Sequence, residues 1–340
     1  MKPPYDVYNY PIVIVDCFAI AHLVYESLRA QDVPIDQVSF PNAHHRKSNV
    51  VFGKMVYEMY KMIEELVMEE EPSRQVYLLF DNAKSKVTCR KTVDPSYKSH
   101  RHSKPSHFYR SVDLVQFMCI QTFSRKVKTI RVHNREADDL VRILVQDLQY
   151  QLKEPHQHLL CIANDSDWHT CLNSRTHVWW YKETRGKSVE EVYTAADFER
   201  EKGFKPSDDK ITTYKALLGD RKDNIKGVIT RSDITHEELV YLIETYGISE
   251  RNSSLPAGCS ADENLSEKTR RILSNKDRQY RLNLQLKSYL EVTDSQLKRH
   301  TLTGQNNKDL KRVLLKVLTN SINGKKPTEN FSFGGIRVDV

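Results

Sequence analysis

Cysteine is sparse and never closely paired: the six residues lie at 17, 89, 119, 161, 171 and 259, with no C-x-x-C spacing. That pattern argues against a zinc ribbon or a disulfide framework and fits a reducing, cytoplasmic setting. Long apolar runs are missing too, and none approaches the roughly 18 residues of a membrane span. The opening MKPPYDVYNYPIVIVD lacks the basic head, apolar stretch and small-residue cleavage site of a secretion signal. Internal repeats and low-complexity segments are absent. A hydrophobic content of 39% over 340 residues still supplies core for one large domain or two moderate ones.

The chain carries a formal charge of +7, which permits a polyanionic partner without demanding one. The distribution of charge is more informative. Residues 82–110 hold eight Lys or Arg against a single acid, Asp94, with three histidines and the aromatics Tyr97, Phe108 and Tyr109 interleaved. Such a stretch suits single-stranded nucleic acid, with cations for phosphates and rings for bases. A solvated loop is the plainer alternative.

Apolar runs alternate with helical patterns. PIVIVD (11–16), QVYLLFD (75–81), KTIRVH (128–133), HLLCIAN (158–164) and HVWWYK (177–182) read as strands. Helices are expected over 49–70, 108–121 and 135–148. This alternation predicts an α/β fold with a mainly parallel central sheet flanked by helices. From about 190 the pattern turns mostly helical: 190–202, 208–218, 235–246, 264–290 and 306–322. The expected organisation is a catalytic α/β domain over 1–189, a mostly helical region over 190–325 and a tail over 326–340.

Acids gather where these strands end. Asp16 follows PIVIV, Asp81 follows VYLLF, and the fourth strand runs into Asp165 and Asp167. The helix after the third strand opens with Glu136, Asp138 and Asp139, and Asp220 and Asp223 follow the 208–218 helix. In an open parallel sheet, ligands bind beyond the carboxyl ends of the strands. The acids therefore converge on one edge. Taken singly, each has a bland reading as a helix cap or a favourable first-turn acid. Taken together, clustered carboxylates repel unless a cation neutralises them. All-oxygen donors select Mg²⁺ or Mn²⁺ over zinc. Two such ions about 4 Å apart would serve phosphodiester hydrolysis.

The segments IVDCFAIAH, LLFDNAKS, VDPSYKSHR, READDL, ANDSDW and GDRKDNIKGV, in that order between residues 12 and 228, resemble the flap endonuclease (5′-nuclease) family. FDNAKS, GDRKDN followed by RSD, and the late LTNSIN are similar to its branch of ribonucleases H from large tailed bacteriophages. The resemblance implies a PIN-like 5′-nuclease fold with a helical arch, here 82–110, and a helix-three-turn-helix-like DNA-binding element near 208–246. The implied activity is 5′→3′ exonuclease and 5′-flap endonuclease cleavage of DNA and RNA–DNA hybrids, with primer removal during phage DNA replication in a host cytoplasm.

Carried over by motif, Asp16, Asp81, Glu136, Asp138, Asp139, Asp165, Asp167, Asp220 and Asp223 are the implied Mg²⁺ ligands. Asp16, Asp81, Asp139 and Asp165 are expected to be central to catalysis, with Lys98 at the scissile phosphate and Arg101 as its partner. Lys84, Lys86, Arg90, Lys91, Tyr97 and Lys104 are expected to face the nucleic acid from the arch, and Phe108 to be available for bases. GVITRSDITHEEL departs from the glycine-rich hairpin of many members. That departure speaks against a K⁺ site and leaves the duplex grip to Arg221, Lys222, Lys226 and Arg231.

Implied partners are nucleic acids with 5′ single-stranded ends or flaps, a single-stranded-DNA-binding protein and a sliding clamp. The Phe331-Ser332-Phe333 tail is one docking segment to consider, and a tail carrying nothing is the other reading. No membrane partner is expected, and a monomer is. Trp168 is read either as core or as a buttress beside Asp167. The alternatives are a catalytically inactive DNA-binding scaffold on the same fold and a PIN-type RNA endonuclease. The intact acid set argues against the first, and Lys98 with GD-x-x-DN against the second.

Overall fold

The computed structural model describes residues 10–31, 33, 46–67, 74–82, 89–101, 104–184, 187–246, 255, 257–288, 290, 292–323, 331–333 and 336–338. In chain order, β1 (Ile12–Asp16) runs into α1 (Cys17–Ala30), and α2 (Arg46–Val67) leads to β2 (Gln75–Leu79). The basic stretch holds a short α3 (Cys89–Val93) and passes into α4 (Ser106–Thr122). Then come β3 (Val127–Ile130), α5 (Ala137–Gln149), β4 (Leu159–Ala163) and a 3-10 turn over Ser166–Cys171. The hairpin of β5 (Thr176–Thr184) and β6 (Lys187–Tyr193) follows. Beyond it lie α6 (Ala195–Lys202), α7 (Asp208–Leu218), β7 (Gly219–Asp220), β8 (Ile225–Lys226) and α8 (His236–Tyr246). The chain continues through α9 (Glu267–Leu273), α10 (Asp277–Lys287), α11 (Asp294–Arg299), β9 (Thr301–Thr303) and α12 (Lys308–Ile322). In the tail, β10 (Phe331–Phe333) pairs antiparallel with β11 (Ile336–Val338).

The central sheet has the order β6-β5-β4-β1-β2-β3-β9. Its five inner strands are parallel, and the two edge strands run against them. All of β1 is buried. Ile12 and Ile14 pack with α5 on one face, while Val13 and Val15 pack with α1, α2 and α4 on the other. A sheet covered on both faces requires a continuous apolar run, which is why PIVIV does not alternate. Fully burying each such side chain is worth roughly 1.5–3 kcal/mol.

Register brings the acids together. Val15 lies opposite both Leu78 and Ile162, and Asp16 opposite Leu79. Asp16, Asp81 and Asp165 therefore leave the sheet side by side. Slipping β1 inward by one residue would draw Asp16 among apolar side chains, a cost of several kcal/mol for an unpaired charge.

The observed strands and helices depart from the expected ones in particular places. The helix expected from 190 begins at Ala195, because KSVEEVY forms β6 and Thr194 caps α6, exchanging hydrogen bonds with Asp197. The long helix expected over 264–290 is two, α9 and α10, broken at Ser274–Lys276. The edge strand β9 carries no clear apolar pattern and depends on pairing with β3.

Between α7 and α8 the chain makes a tight β7–β8 turn. Gly219, at φ +76°, and Gly227 pack backbone to backbone there. A Cβ at 219 would come within 2.4 Å of the Gly227 nitrogen, and one at 227 within 2.5 Å of the Leu218 oxygen. This close approach, which only glycine allows, fixes the turn that carries Asp220 and Asp223.

Candidate metal centre

Several of the acids at the sheet edge are caps. The Asp16 carboxylate accepts from the backbone N–H of Phe18 at 2.9 Å and of Ala19 at 3.1 Å, which starts α1 at Cys17. Asp165 caps the 3-10 turn by accepting from Asp167 N at 3.0 Å, and Asp220 accepts from Lys222 N at 2.9 Å. Asp81 reaches across to Ala137 N at 2.6 Å and so fixes the start of α5 against the end of β2. The capping reading of these acids is thus met, and it leaves their carboxylates at the same sheet edge.

The nine carboxylates divide into two groups. Glu136, Asp139, Asp167, Asp220 and Asp223 are ion-paired. Glu136 meets Arg90 at 2.8 Å and Lys98 at 2.9 Å. Asp139 meets Arg90 at 2.8 Å. Asp167 is paired with Lys215, and with Lys287 at 3.1 Å. Lys287 also lies 2.6 Å from Asp220 and 2.7 Å from Asp223, and Arg101 lies 2.8 Å from Asp223. Asp16, Asp81, Asp138 and Asp165 form no ion pair among the described residues. The Trp168 indole N–H donates to Asp138 at 2.6 Å, so the buried Trp168 does buttress the acid edge.

Proton affinities follow this division. Burial, and after it the charge of Asp81, pushes Asp16 up to about 8. Burial and Glu136 push Asp81 up to about 6. Burial and Asp165 raise Asp138, and burial and Asp167 raise Asp165. In the paired group burial also pushes upward, but the cations prevail. Lys98 and Arg90 hold Glu136 below the usual range, Lys215 and Lys287 hold Asp167 well below it, and Lys98 and Lys287 lower Asp223.

The donor chemistry fits a hard divalent cation. Carboxylate oxygens of Asp138, Asp165 and Asp167 lie within 4.8 Å of one another, as do those of Asp167, Asp220 and Asp223. The first triple adjoins Asp16, whose carboxylate is repelled by those of Asp81 and Asp165. Four buried or half-buried carboxylates with no ion pair among the described residues are costly as anions, and a divalent cation relieves that cost.

Asp139 is placed differently from its expected role. It is buried, lies outside both triples, and accepts from Arg90, Glu136 N at 3.1 Å and Leu290 N at 3.0 Å. These bonds tie together α3, the start of α5 and the chain after α10.

The described part of the basic stretch folds down onto the acid edge. Arg90 is 5% exposed and also donates to the carbonyls of Leu286 and Ser288, so it does not face nucleic acid as expected. Tyr97 is buried against Ile225 and Leu286, and Phe108 is buried among Phe18, His22 and Tyr25. Neither ring is available for bases in this arrangement. Apolar contact outcompeted stacking because both rings lie on faces that meet other elements. Lys91 is half-buried, and Lys104 lies over the Tyr25 ring and pairs with Glu26. Lys84 and Lys86 lie outside the described residues.

Lys98 adopts the left-handed conformation, φ 52°, and its backbone N–H donates to Asp223 O at 2.9 Å. Arg101 donates to Lys222 O at 3.1 Å, and Asn224 to Ser96 O at 2.9 Å. The 94–101 turn is thereby fastened to 221–224. Arg221, Lys222, Lys226 and Arg231 are exposed.

Lys215 and Lys287 lie outside the sequence motifs that mark the acid edge. Each sits on a buried helical stripe: Ile211, Lys215 in α7, and Tyr280, Asn283, Leu284, Lys287 in α10. A lysine at a core-facing position was the available signal.

The fold is an α/β protein with a mainly parallel sheet whose carboxyl edge gathers carboxylates beneath a basic segment. The chain belongs to the family of the 5′-3′ exonuclease N-terminal, resolvase-like domain, whose model matches residues 11–203. It is 25% identical over 173 residues to a 5′-3′ exonuclease of Buchnera aphidicola, covering 51% of this chain and 54% of that protein. It is 26% identical over 239 residues to a DNA polymerase I of Bacillus caldotenax, covering 70% of this chain and 24% of that one. The chain thus spans about half, or less, of the length of these relatives.

Its fold is similar to that of a bacteriophage T5 flap endonuclease solved as a pseudo-enzyme–product complex with DNA and metal ions. The TM-score is 0.55 at 17% identity, over 92% of this chain and 99% of that one. A T5 5′-exonuclease with zinc bound is equally alike in fold, with TM-score 0.54 and 18% identity over 92% and 99%. Among the described residues, no helix is long and apolar enough to cross a membrane.

Proposed function

We propose that this protein is a divalent-metal-dependent 5′→3′ exonuclease and 5′-flap endonuclease acting on DNA and RNA–DNA hybrids, with removal of RNA primers in (phage) DNA replication as its role. The observation that carries the reading is the group Asp16, Asp81, Asp138 and Asp165, four carboxylates at one sheet edge with no ion pair among the described residues. Family membership and the exonuclease and polymerase relatives support it.

Asp138, Asp165 and Asp167, with Asp16 and Asp81 adjoining, would hold Mg²⁺. When bound, the ion supplies an activated water and charge compensation at the phosphate. The chain's own residues do the rest. Lys98 places an ammonium at the same edge, on a turn held by Asp223, where it can stabilise charge that grows on a phosphate oxygen. Arg101 holds Asp223 and so keeps that turn in place. Trp168 orients Asp138 through its indole hydrogen bond. Arg221, Lys222, Lys226 and Arg231 offer positive charge to a duplex backbone. The 1–189 part would thus supply the chemistry and α7 to α8 the grip on DNA. The test is digestion of a 5′-labelled flap and of a nicked RNA–DNA hybrid, with and without Mg²⁺. Release of 5′ products only with the metal supports the reading, and no cleavage of either substrate with it would end the reading.

A further inference from the structure

The Lys287 ammonium lies among three carboxylates, 3.1 Å from Asp167, 2.6 Å from Asp220 and 2.7 Å from Asp223. Its side chain is only 3% exposed. An ammonium has three N–H donors, and here three acids accept them. These are the same three acids whose oxygens lie within 4.8 Å of one another and would otherwise make a second cation site. We infer that Lys287 is a built-in cation that takes the place of a divalent ion in the Asp167–Asp220–Asp223 triple. The metal is then left to the group around Asp138 and Asp165. The inference rests on the metal-dependent reading above and narrows it.

Lys287 is held in place from several directions. It closes α10, where the negative end of the helix dipole favours a cation. Arg90 takes the carbonyls of Leu286 and Ser288 on either side of it, and Asp139 accepts from Leu290 N. One turn earlier, the buried Asn283 amide donates to Ala216 O at 2.8 Å and to Lys226 O at 2.7 Å. Those carbonyls belong to the α7–β8 segment that carries Asp220 and Asp223, so α10 is tied to the acid turn. The ammonium is thus bolted to its acids by backbone contacts that do not depend on its own charge.

The decisive measurement counts ions without nucleic acid and without turnover. Tight Mn²⁺ sites are titrated by electron paramagnetic resonance in wild type, Lys287→Met and Lys287→Arg, with circular dichroism to establish folding. Lys287→Met is expected to bind one ion more than wild type, and Lys287→Arg the same number as wild type. Equal counts in wild type and a folded Lys287→Met, or a gained ion in Lys287→Arg, would overturn the inference. Wild type with no tight ion at all would instead remove the metal-dependent reading on which it rests.

Should Lys287→Met fail to fold, wild type still decides. The solvent-protected ¹⁵N resonance of the Lys287 ammonium should persist at saturating Mg²⁺. Its loss to solvent exchange on adding Mg²⁺ would mean that the ion displaces the lysine.

Discussion

Arg90 Nη2 and Asp139 Oδ1 lie 2.8 Å apart, with side chains only 5% and 0% exposed. Removing one member of such a pair strands the other charge in the interior, at a cost of about 3–5 kcal/mol. Arg90→Met, which takes from Asp139 its ion pair while Glu136 keeps Lys98, should therefore lower unfolding free energy by about that amount in urea titrations near neutral pH. Arg90→Met with Asp139→Leu should recover much of the loss. A loss below about 1 kcal/mol in the single variant, the range of exposed pairs, would show that the pair is not an anchor.

Asp165→Asn acts oppositely on stability and activity. It removes a carboxylate that repels Asp16 and Asp138 and has no ion pair among the described residues. The metal-free protein should stay folded with an unchanged or higher melting temperature, while Mg²⁺-dependent cleavage falls by orders of magnitude. Wild-type cleavage rates in this variant would mean that the acid edge is not where the metal acts.

Lys98 should matter to the rate more than to binding. Lys98→Ala is expected to lower single-turnover cleavage by roughly two orders of magnitude, as lost electrostatic donors commonly do, with a much smaller change in Kd for a flap substrate. Because position 98 is left-handed, Lys98→Gly separates lost charge from backbone strain. Equal rate losses in both variants assign the effect to the ammonium. A binding loss as large as the rate loss would make Lys98 a mere phosphate anchor.

Metal-free stability should depend on pH with a definite sign. The Asp16 carboxyl, raised from 3.8 to about 8, keeps in the folded protein a proton that the unfolded chain has lost. Stability then falls as pH rises between those values. His22 and His169, lowered by burial to about 4 and 3, act the other way, but only below about 6.5, where unfolded histidine takes up a proton. Between pH 6.5 and 8 the carboxyl effect should prevail, at on the order of 1–2 kcal/mol. Thermal unfolding in a chelator should show a lower Tm at pH 8 than at 6.5, and Mg²⁺ should shrink the difference. A higher Tm at pH 8 in the chelator would contradict the raised carboxyl.

Salt should report on the basic face. Each phosphate contact adds about 0.9 to the slope of log affinity against log salt. Replacing Arg221, Lys222, Lys226 and Arg231 with alanine should flatten the slope for duplex DNA by about 3–4. An unchanged slope would place the duplex elsewhere.

The sequence by itself determined the parallel sheet and the edge at which its acids meet. PIVIVD and VYLLFD are local patterns: an apolar run wants burial on both faces, and the acid after it must lie where the strand leaves the core. Parallel pairing then aligns the strand ends, so Asp16, Asp81 and Asp165 come together whatever the loops do. Which acids are paired was decided only by tertiary structure. Lys287 is 120 residues from Asp167 in the chain and Arg90 is 49 from Asp139. No periodicity reports a contact over such distances, because it forms only when separate elements pack. The same holds for Tyr97 and Phe108, whose rings suit bases or a core equally well until a neighbouring surface covers them. Packing also divided the nine similar carboxylates, because a buried acid keeps its charge only where a cation is brought to it.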